Sequence, residues 1–510
     1  MDSEQKIKLL AAVSLPVMVI IFYVTATFHF SYTPDDTYIY LQFAKNFIGG
    51  NGMSFNAGEP TYGFTSPLWL LIISLGGKMG VDIYFAAKVL DLFLASVSIA
   101  IFFILAFEVI RDVVTALLAT AVFSMNAWLI RWTGSGMETS LAVLLVLLAF
   151  WYCIRNEYIL AIVVTTLLSL VRPESFLLVG CIVVDLYINS KSKPRALKMG
   201  ASLVLLYLVF LLPWWIYAYV NFGRIFPNTG LAKAGLNLDP VDILHTLGNS
   251  IGTVALTDGL SMAVILFVGL AYLIRRKNTS VRTREDEGEA FYLSRNFIVG
   301  GLWIVSIVLL YSVTGVNVVS RYFLLVIPIV IILAFLLTHQ VLVRLFMPRF
   351  VYSAIIALTI LMCAQNQLMY RLVVLPRAEA FESSTMEYCF IPIGKYLAEH
   401  SQEGETVLVP DIGAIGYFSQ RKIYDPAALI SPEMLPLLRQ GNTPYQIVER
   451  KLYRTVCSPD YIIDQSATPY ALTDSQYTPI MTRMVQGFKK FEPLPVYYSL
   501  YKLHGTEKHQ

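Results

Sequence analysis

Long apolar runs separated by short polar breaks fill the first 370 residues, and most of them approach the ~20 residues that a spanning helix needs. They fall at 9–28, 83–108, 113–130, 138–154, 157–171, 174–189, 199–220, 257–274, 297–314, 322–338 and 351–370. The pattern predicts a polytopic α-helical membrane protein with eleven spans. The segment 64–79 is also apolar but short, and it contains Gly76, Gly77 and Lys78. We read it as a membrane-surface helix. After residue 370 the pattern changes to mixed α/β. An amphipathic stretch, Met386–His400, precedes strand-like pieces at Thr406–Val409, Tyr461–Ile463 and Val496–Leu503, with helical pieces near 432–439 and 443–453. The predicted organisation is a membrane domain over 1–370, with a first outer loop at 31–82, and an α/β domain over 371–510.

Composition sharpens this division. The chain of 510 residues is 56% hydrophobic and 14% charged, against about 25% charged in soluble domains. Residues 371–510 hold 29 of the charged residues and the longer preceding part only 44. A net charge of +3 gives no basis for nucleic-acid binding. The first run is longer than a signal-peptide core and lacks a small-residue cleavage site, so it reads as an uncleaved anchor. With 64–79 kept out of the membrane, sixteen Lys and Arg fall in cytoplasmic loops and eight on the outer side. The positive-inside rule then places the N-terminus in the cytoplasm and the C-terminal part outside it, on a multi-pass plasma membrane protein. Cys153, Cys181 and Cys363 lie in apolar runs. Cys389 and Cys457 lie in the polar part, where a disulfide is open if the compartment is oxidising.

The most informative stretch is 33–69. Thr33-Pro34-Asp35-Asp36 has the form of a helix start, with Thr33 as N-cap, Pro34 in the first turn and Asp36 three residues after the cap. Ile39, Phe43 and Phe47 follow on one apolar face, as in an amphipathic helix on the membrane surface. Asp36 then has a capping duty, whereas Asp35 points elsewhere and is free for chemistry. The topology gathers further ionisable residues on the same outer face: Glu59, Arg131, Glu138, Arg172, Glu174, Arg224, Lys233 and Arg321. Taken singly, each reads as a snorkelling cation or an acid at a helix N-terminus. As a group in a low-charge domain they point to a site. Lys88 and Asp91, inside the second run, read as an i,i+3 pair.

A carboxylate at a membrane surface can take the proton of an acceptor hydroxyl. Arginines beside it can hold a phosphate leaving group. No nucleotide sugars reach an outer face, so a donor there would be a sugar on a lipid phosphate. Position at outer span ends makes Arg321 and Arg172 the candidate phosphate ligands, with Lys233 and Arg224 behind them. Glu59, Glu138, Glu174, Asn228 and Asp411 are candidate substrate-binding residues. The loop of Asp411, following a strand, would close over the outer face as an acceptor-binding lid, with Tyr417, Phe418 and Tyr424 for sugar stacking. The alternative is that Asp411 caps a short helix and the aromatics fill a small core.

The string Pro34-Asp35-Asp36-Thr37-Tyr38, Phe43-Ala44-Lys45-Asn46, Gly50-Asn51-Gly52, Gly58-Glu59 and Gly63-Phe64-Thr65-Ser66-Pro67-Leu68-Trp69 resembles the first loop of the GT-C superfamily of integral-membrane glycosyltransferases. The branch it most resembles contains the mycobacterial terminal arabinofuranosyltransferases and related polyprenyl-phosphate-sugar-dependent enzymes. Gly136-Met137-Glu138-Thr139, Arg172-Pro173-Glu174, Pro227-Asn228-Thr229, Ser320-Arg321-Tyr322 and Asp411–Tyr417 extend the resemblance in order along the chain. It implies inverting transfer from a polyprenyl-phosphate sugar to a glycan, lipid or protein acceptor. Asp35 would be the catalytic base, and Asp36 would help bind donor, acceptor or a divalent cation. Lys45 and Pro60-Thr61-Tyr62 depart from the family pattern and leave the sugar open. Two other classes stay open: a membrane transporter, and a catalytically inactive membrane scaffold or motor-control relative.

Overall fold

The computed structural model describes residues 3–228, 230, 239–278, 284–316, 318–489 and 492–504. Helices cover all eleven apolar runs, most with a single helix and 113–130 with two. In chain order the helices are α1 (Ser3–Thr27), α2 (Asp35–Ile48), α3 (Pro67–Lys78), α4 (Ile83–Ile110), α5 (Val113–Ser124), α6 (Ala127–Trp132), α7 (Thr139–Ile154), α8 (Tyr158–Ser169), α9 (Leu177–Asn189), α10 (Lys193–Phe222), α11 (Pro240–Asn278), α12 (Arg284–Thr314), α13 (Ile327–Leu345) and α14 (Pro348–His400). Among the described residues seven helices are long and apolar enough to cross a membrane, and α3, α5, α7 and α8 are shorter apolar helices.

Local chemistry sets several boundaries. Asp82 and Asp112 cap α4 and α5 through the Phe85 and Thr115 amides, at 2.8 and 2.7 Å. The run 113–130 is two helices, because the Asn126 side chain accepts from the Trp128 and Leu129 amides and starts α6. Helix α11 is broken at Asp258, where φ is −124° and ψ 24°. Gln365 and Asn366 of α14 donate to the carbonyls of Ala255 and Thr257, both at 2.9 Å, so the break leaves these backbone groups satisfied. The predicted helix Met386–His400 is the far end of α14, which runs on from the last apolar run through π-helical turns at Tyr370–Val374 and Phe381–Phe390.

Beyond α14 the chain forms a five-stranded sheet of order β2-β1-β3-β5-β4. The strands are β1 (Thr406–Leu408), β2 (Lys422–Tyr424), β3 (Tyr461–Ser466), β4 (Tyr477–Lys489) and β5 (Glu492–Leu503). β1 runs parallel to β2 and β3, and β5 is antiparallel to β3 and β4. The sequence reading misses β2 and β4. Two short helices, α15 (Gly413–Ser419) and α16 (Pro444–Glu449), pack beside the sheet. All five cysteines are free, and Cys389 and Cys457 are separately buried, so the open disulfide is not formed.

Helix α2 departs most from expectation. Thr37 through Ala44 are all buried, where a membrane-surface helix would keep a wet face. The helix lies between the bundle and the C-terminal α/β domain. Tyr38 packs against Tyr417 and Phe418, with ring centroids 5.6 and 5.5 Å apart. Asn56, in the loop after α2, exchanges two 2.9 Å hydrogen bonds with the Ile423 backbone of β2. The Thr33 amide donates to Glu382 of α14 at 3.0 Å. One end of the bundle, the first loop and the sheet are thus a single packed unit.

Candidate active site

A cavity of about 350 Å³ opens at this end of the bundle, lined among others by Asp36, Tyr40, Thr65, Glu138, Arg172, Glu174, Arg321, Tyr322 and Leu429. Its charged groups come from four places along the chain. Asp36 sits in the first turn of α2, Glu138 ends the turn before α7, Arg172 and Glu174 form the bend between α8 and α9, and Arg321 lies on a one-turn helix before α13.

Hydrogen bonds hold these turns in place. Asp91 of α4 accepts from Ser140, from Ser135 at 3.3 Å and from the Gly136 amide at 3.2 Å. Lys88 turns instead to the Tyr32 carbonyl at 3.1 Å and the Thr33 hydroxyl at 2.8 Å. The two residues are not the expected pair. They brace two different loops, and the one held by Asp91 presents Glu138.

Arg321 Nη2 meets Asp36 Oδ2 at 2.5 Å, and Arg172 Nη2 meets Glu138 Oε1 at 2.8 Å. Both guanidinium groups lie over the Tyr322 ring, 5.1 Å from its centroid for Arg172 and 5.5 Å for Arg321. One aromatic ring therefore contacts both cations. Glu174 accepts from Tyr311 at 2.6 Å. The Nε atoms of both arginines and Glu138 Oε2 are buried without a hydrogen-bond partner among the described residues. Such orphaned buried donors favour an incoming anion. Asp36 stays 40% exposed through its side chain and opens on the cavity.

The capping expectation for Asp36 is corrected. Helix α2 begins at Asp35 after Pro34, with no side-chain cap, and Thr33 serves Lys88. The reading of Asp35 as free is corrected too. Its Oδ2 accepts from the Gly413 amide and its Oδ1 from the Ala414 amide, both at 2.8 Å, and it is not among the residues lining the cavity. Burial, reinforced by the neighbouring Asp411, raises the Asp35 carboxyl to about 7.

The remaining candidates divide. Arg172, Arg321, Glu138 and Glu174 come together with Asp36. Glu59 is exposed and pairs with Lys422 at 2.5 Å. Asn228 donates to the Leu429 carbonyl at 3.0 Å and accepts from Arg224 at 2.7 Å, so both brace the wall rather than line it. Asp411 accepts from Tyr498 at 2.7 Å, caps nothing and does not line the cavity. Tyr417 and Phe418 pack on Tyr38, and Tyr424 of β2 packs against a small core of the C-terminal domain. Lys233 lies outside the described residues. Among the described residues no three His, Cys, Asp or Glu are grouped to hold a metal ion.

Sequence reasoning misses Tyr311, which carries no local signal, and Asp425. The Asp425 side chain accepts from the amides of Ala427, Leu429 and Ile430 and builds the turn that brings Leu429 to the cavity. The dipeptide Asp425-Pro426 is a legible turn signal.

Solved structures share this architecture. ArnT from Cupriavidus metallidurans bound to undecaprenyl phosphate matches with a TM-score of 0.54 and 13% identity, over 96% of this chain and 97% of that one. The same protein in the apo state matches at 0.54 and 15%, over 94% and 97%. Arabinofuranosyltransferase AftD from Mycobacteria aligns at 0.49 and 14%, over 97% of this chain and 42% of that one. Residues 378–503 match a family model described as a domain of unknown function (DUF8728). No curated protein sequence matches the chain. The chain shares the fold of ArnT: a polytopic helical membrane protein carrying a C-terminal α/β domain.

Proposed function

We propose that the protein is a membrane glycosyltransferase that moves a sugar from a polyprenyl-phosphate carrier to a hydroxyl of a cell-envelope glycan, lipid or protein, with inversion. The observation that carries this reading is the gathering of two buried arginines on one cavity, Arg321 paired with Asp36 and Arg172 with Glu138. The shared fold with a protein solved in complex with undecaprenyl phosphate supports a lipid-phosphate donor. In the reaction the acceptor hydroxyl attacks the anomeric carbon from the face opposite the phosphate. The sugar–phosphate C–O bond breaks, and the polyprenyl phosphate leaves with the electron pair. Arg172 and Arg321 hold the phosphate oxygens. Asp36 takes the hydroxyl proton, a role that passes to it from Asp35 because both Asp35 oxygens are engaged by backbone amides. Residues 1–370 supply the charged groups of the transfer site, and 371–510 supply part of its wall through Leu429. The excess of Lys and Arg in the loops assigned to the cytoplasm supports a cavity that faces outward, with the N-terminus in the cytoplasm. The break at Asp258 is the feature a transporter would exploit, but the charged groups gather at the end of the bundle.

Mass spectrometry of envelope glycans from cells with and without the gene tests this. Loss of the gene is expected to remove one sugar type from one glycan. Asp36→Asn should fail to restore it, since removal of a general base typically costs ~10²–10⁴-fold. Unchanged glycans, or restoration to more than about a tenth of wild type by Asp36→Asn, would sink the reading.

A further inference from the structure

The C-terminal domain contains a second cavity, of about 550 Å³, which shares no lining residue with the transfer site. Its size falls in the ~300–1,000 Å³ range of small-molecule sites. It lies at the C-terminal end of β3, which runs parallel to β1, and sheets of this kind place ligands at that end. Asp464 and Gln465 of β3, Tyr445 and Glu449 of α16, and Lys451 and Asp474 are among its lining.

Asp464 is the informative residue. It is only 2% exposed, and its Oδ2 has no hydrogen-bond partner among the described residues. A buried carboxylate oxygen without a donor is costly, and a ligand hydroxyl in the cavity would relieve the cost. The charge of the wall selects the ligand. Lys451 is neutralised by Asp474 at 2.7 Å, so Asp464 and Glu449 leave the lining net negative. That repels phosphates and uronic acids. Tyr445, 38% exposed, offers a flat ring to the C–H face of a sugar.

The cavity also connects to the first loop. Gln465 Nε2 donates to the Tyr498 hydroxyl at 3.0 Å, and Tyr498 donates to Asp411 at 2.7 Å. Two and three residues beyond Asp411, the Gly413 and Ala414 amides hold Asp35, the neighbour of Asp36. We propose that this cavity binds a neutral saccharide unit of the acceptor glycan and so presents the chain end to the transfer site. The acceptor assignment rests on the transferase reading, whereas the saccharide site stands on its own geometry.

The test uses the full chain in lipid nanodiscs and saturation-transfer NMR. The probes are neutral gluco-, manno-, galacto- and arabino-configured tetrasaccharides, with tetragalacturonate as the anionic control. At least one neutral probe is expected to bind and the anionic control is not. Asp464→Asn and the surface substitution Tyr445→Ala should each weaken binding about tenfold or more, with undecaprenyl phosphate binding unchanged. Tyr445→Ala keeps the test valid if Asp464→Asn folds poorly. Failure of all neutral probes, or binding insensitive to Tyr445→Ala, overturns the proposal. Saccharide binding that depends on Tyr445, in a protein whose loss leaves envelope glycans unchanged, keeps the site and removes only the transferase reading.

Discussion

Adjacent residues on a helix point about 100° apart, and at the start of α2 that rotation separates two aspartates. Asp36 turns into the cavity toward Arg321, and Asp35 turns away to the Gly413 and Ala414 amides. Arg321 reaches Asp36 while lying over two rings, Trp132 and Tyr322. A lysine cannot reproduce the contact of a flat guanidinium with both rings. Arg321→Lys should therefore weaken undecaprenyl phosphate binding more than acceptor binding, by about tenfold, measurable by titration into nanodiscs. An equal loss for both ligands would remove Arg321 from the phosphate site. Asp35 makes a different prediction. Burial, and then the facing Asp411, push its carboxyl up to about 7, above the ordinary carboxylate range. A carboxyl with a raised folded-state pKa favours the folded state at low pH. That contribution is complete below about pH 4 and is lost as pH rises through about 7. The melting temperature of the wild type should accordingly fall relative to Asp35→Asn between about pH 5 and about pH 8. Parallel pH profiles would show that another group titrates.

At the scale of elements, the contact between α2 and α15 tolerates no side chain at Gly413. A Cβ there would lie 2.0 Å from the Asp35 carbonyl oxygen and 2.6 Å from its Cγ. Gly413→Ala must push the two elements apart, and overpacking of this kind costs about 1–3 kcal/mol. A lowered melting temperature is expected for Gly413→Ala but not for Gly404→Ala, whose Cβ meets open space. Equal melting temperatures would mean that the contact does not contribute to stability. The apolar runs were legible because a spanning helix leaves its whole length in composition. The ends of α2 were not. Thr33 and Asp36 satisfy the local capping pattern, but tertiary partners, Lys88 and Arg321, take both side chains. β2 holds a single aliphatic residue, Ile423, among charged neighbours, whereas the equally short β1 runs on as the apolar stretch Val407-Leu408-Val409. β4 alternates polar and apolar residues but contains Pro479 and Gly487, which read as breakers. Among the site residues, Arg172, Glu174 and Arg321 were legible because charge is rare in this part of the chain. Tyr311 was not, because a tyrosine near a helix end is unremarkable in sequence.

Across the whole molecule the C-terminal domain does not sit as a detachable cover. Leu429 forms part of the cavity wall, and its carbonyl accepts from Asn228 at 3.0 Å. A Cβ at Gly63, another cavity residue, would come within 2.8 Å of that same carbonyl, so the two backbones are in contact. Asn56 is pinned to β2, and the buried face of α2 packs on Tyr417 and Phe418. A simple lid would leave donor binding intact when removed. The observed packing predicts otherwise. A chain ending near residue 375 exposes Tyr38, Phe43 and Phe55, which are buried in the full protein. It also releases Asp35 and removes one wall of the cavity. The truncated protein should still insert its apolar helices, yet bind undecaprenyl phosphate about tenfold or more weakly, because the turn carrying Asp36 is no longer fixed. Titration of undecaprenyl phosphate into the full and truncated chains decides the matter. Equal affinity would restore the domain to the role of a lid that acts on the acceptor alone.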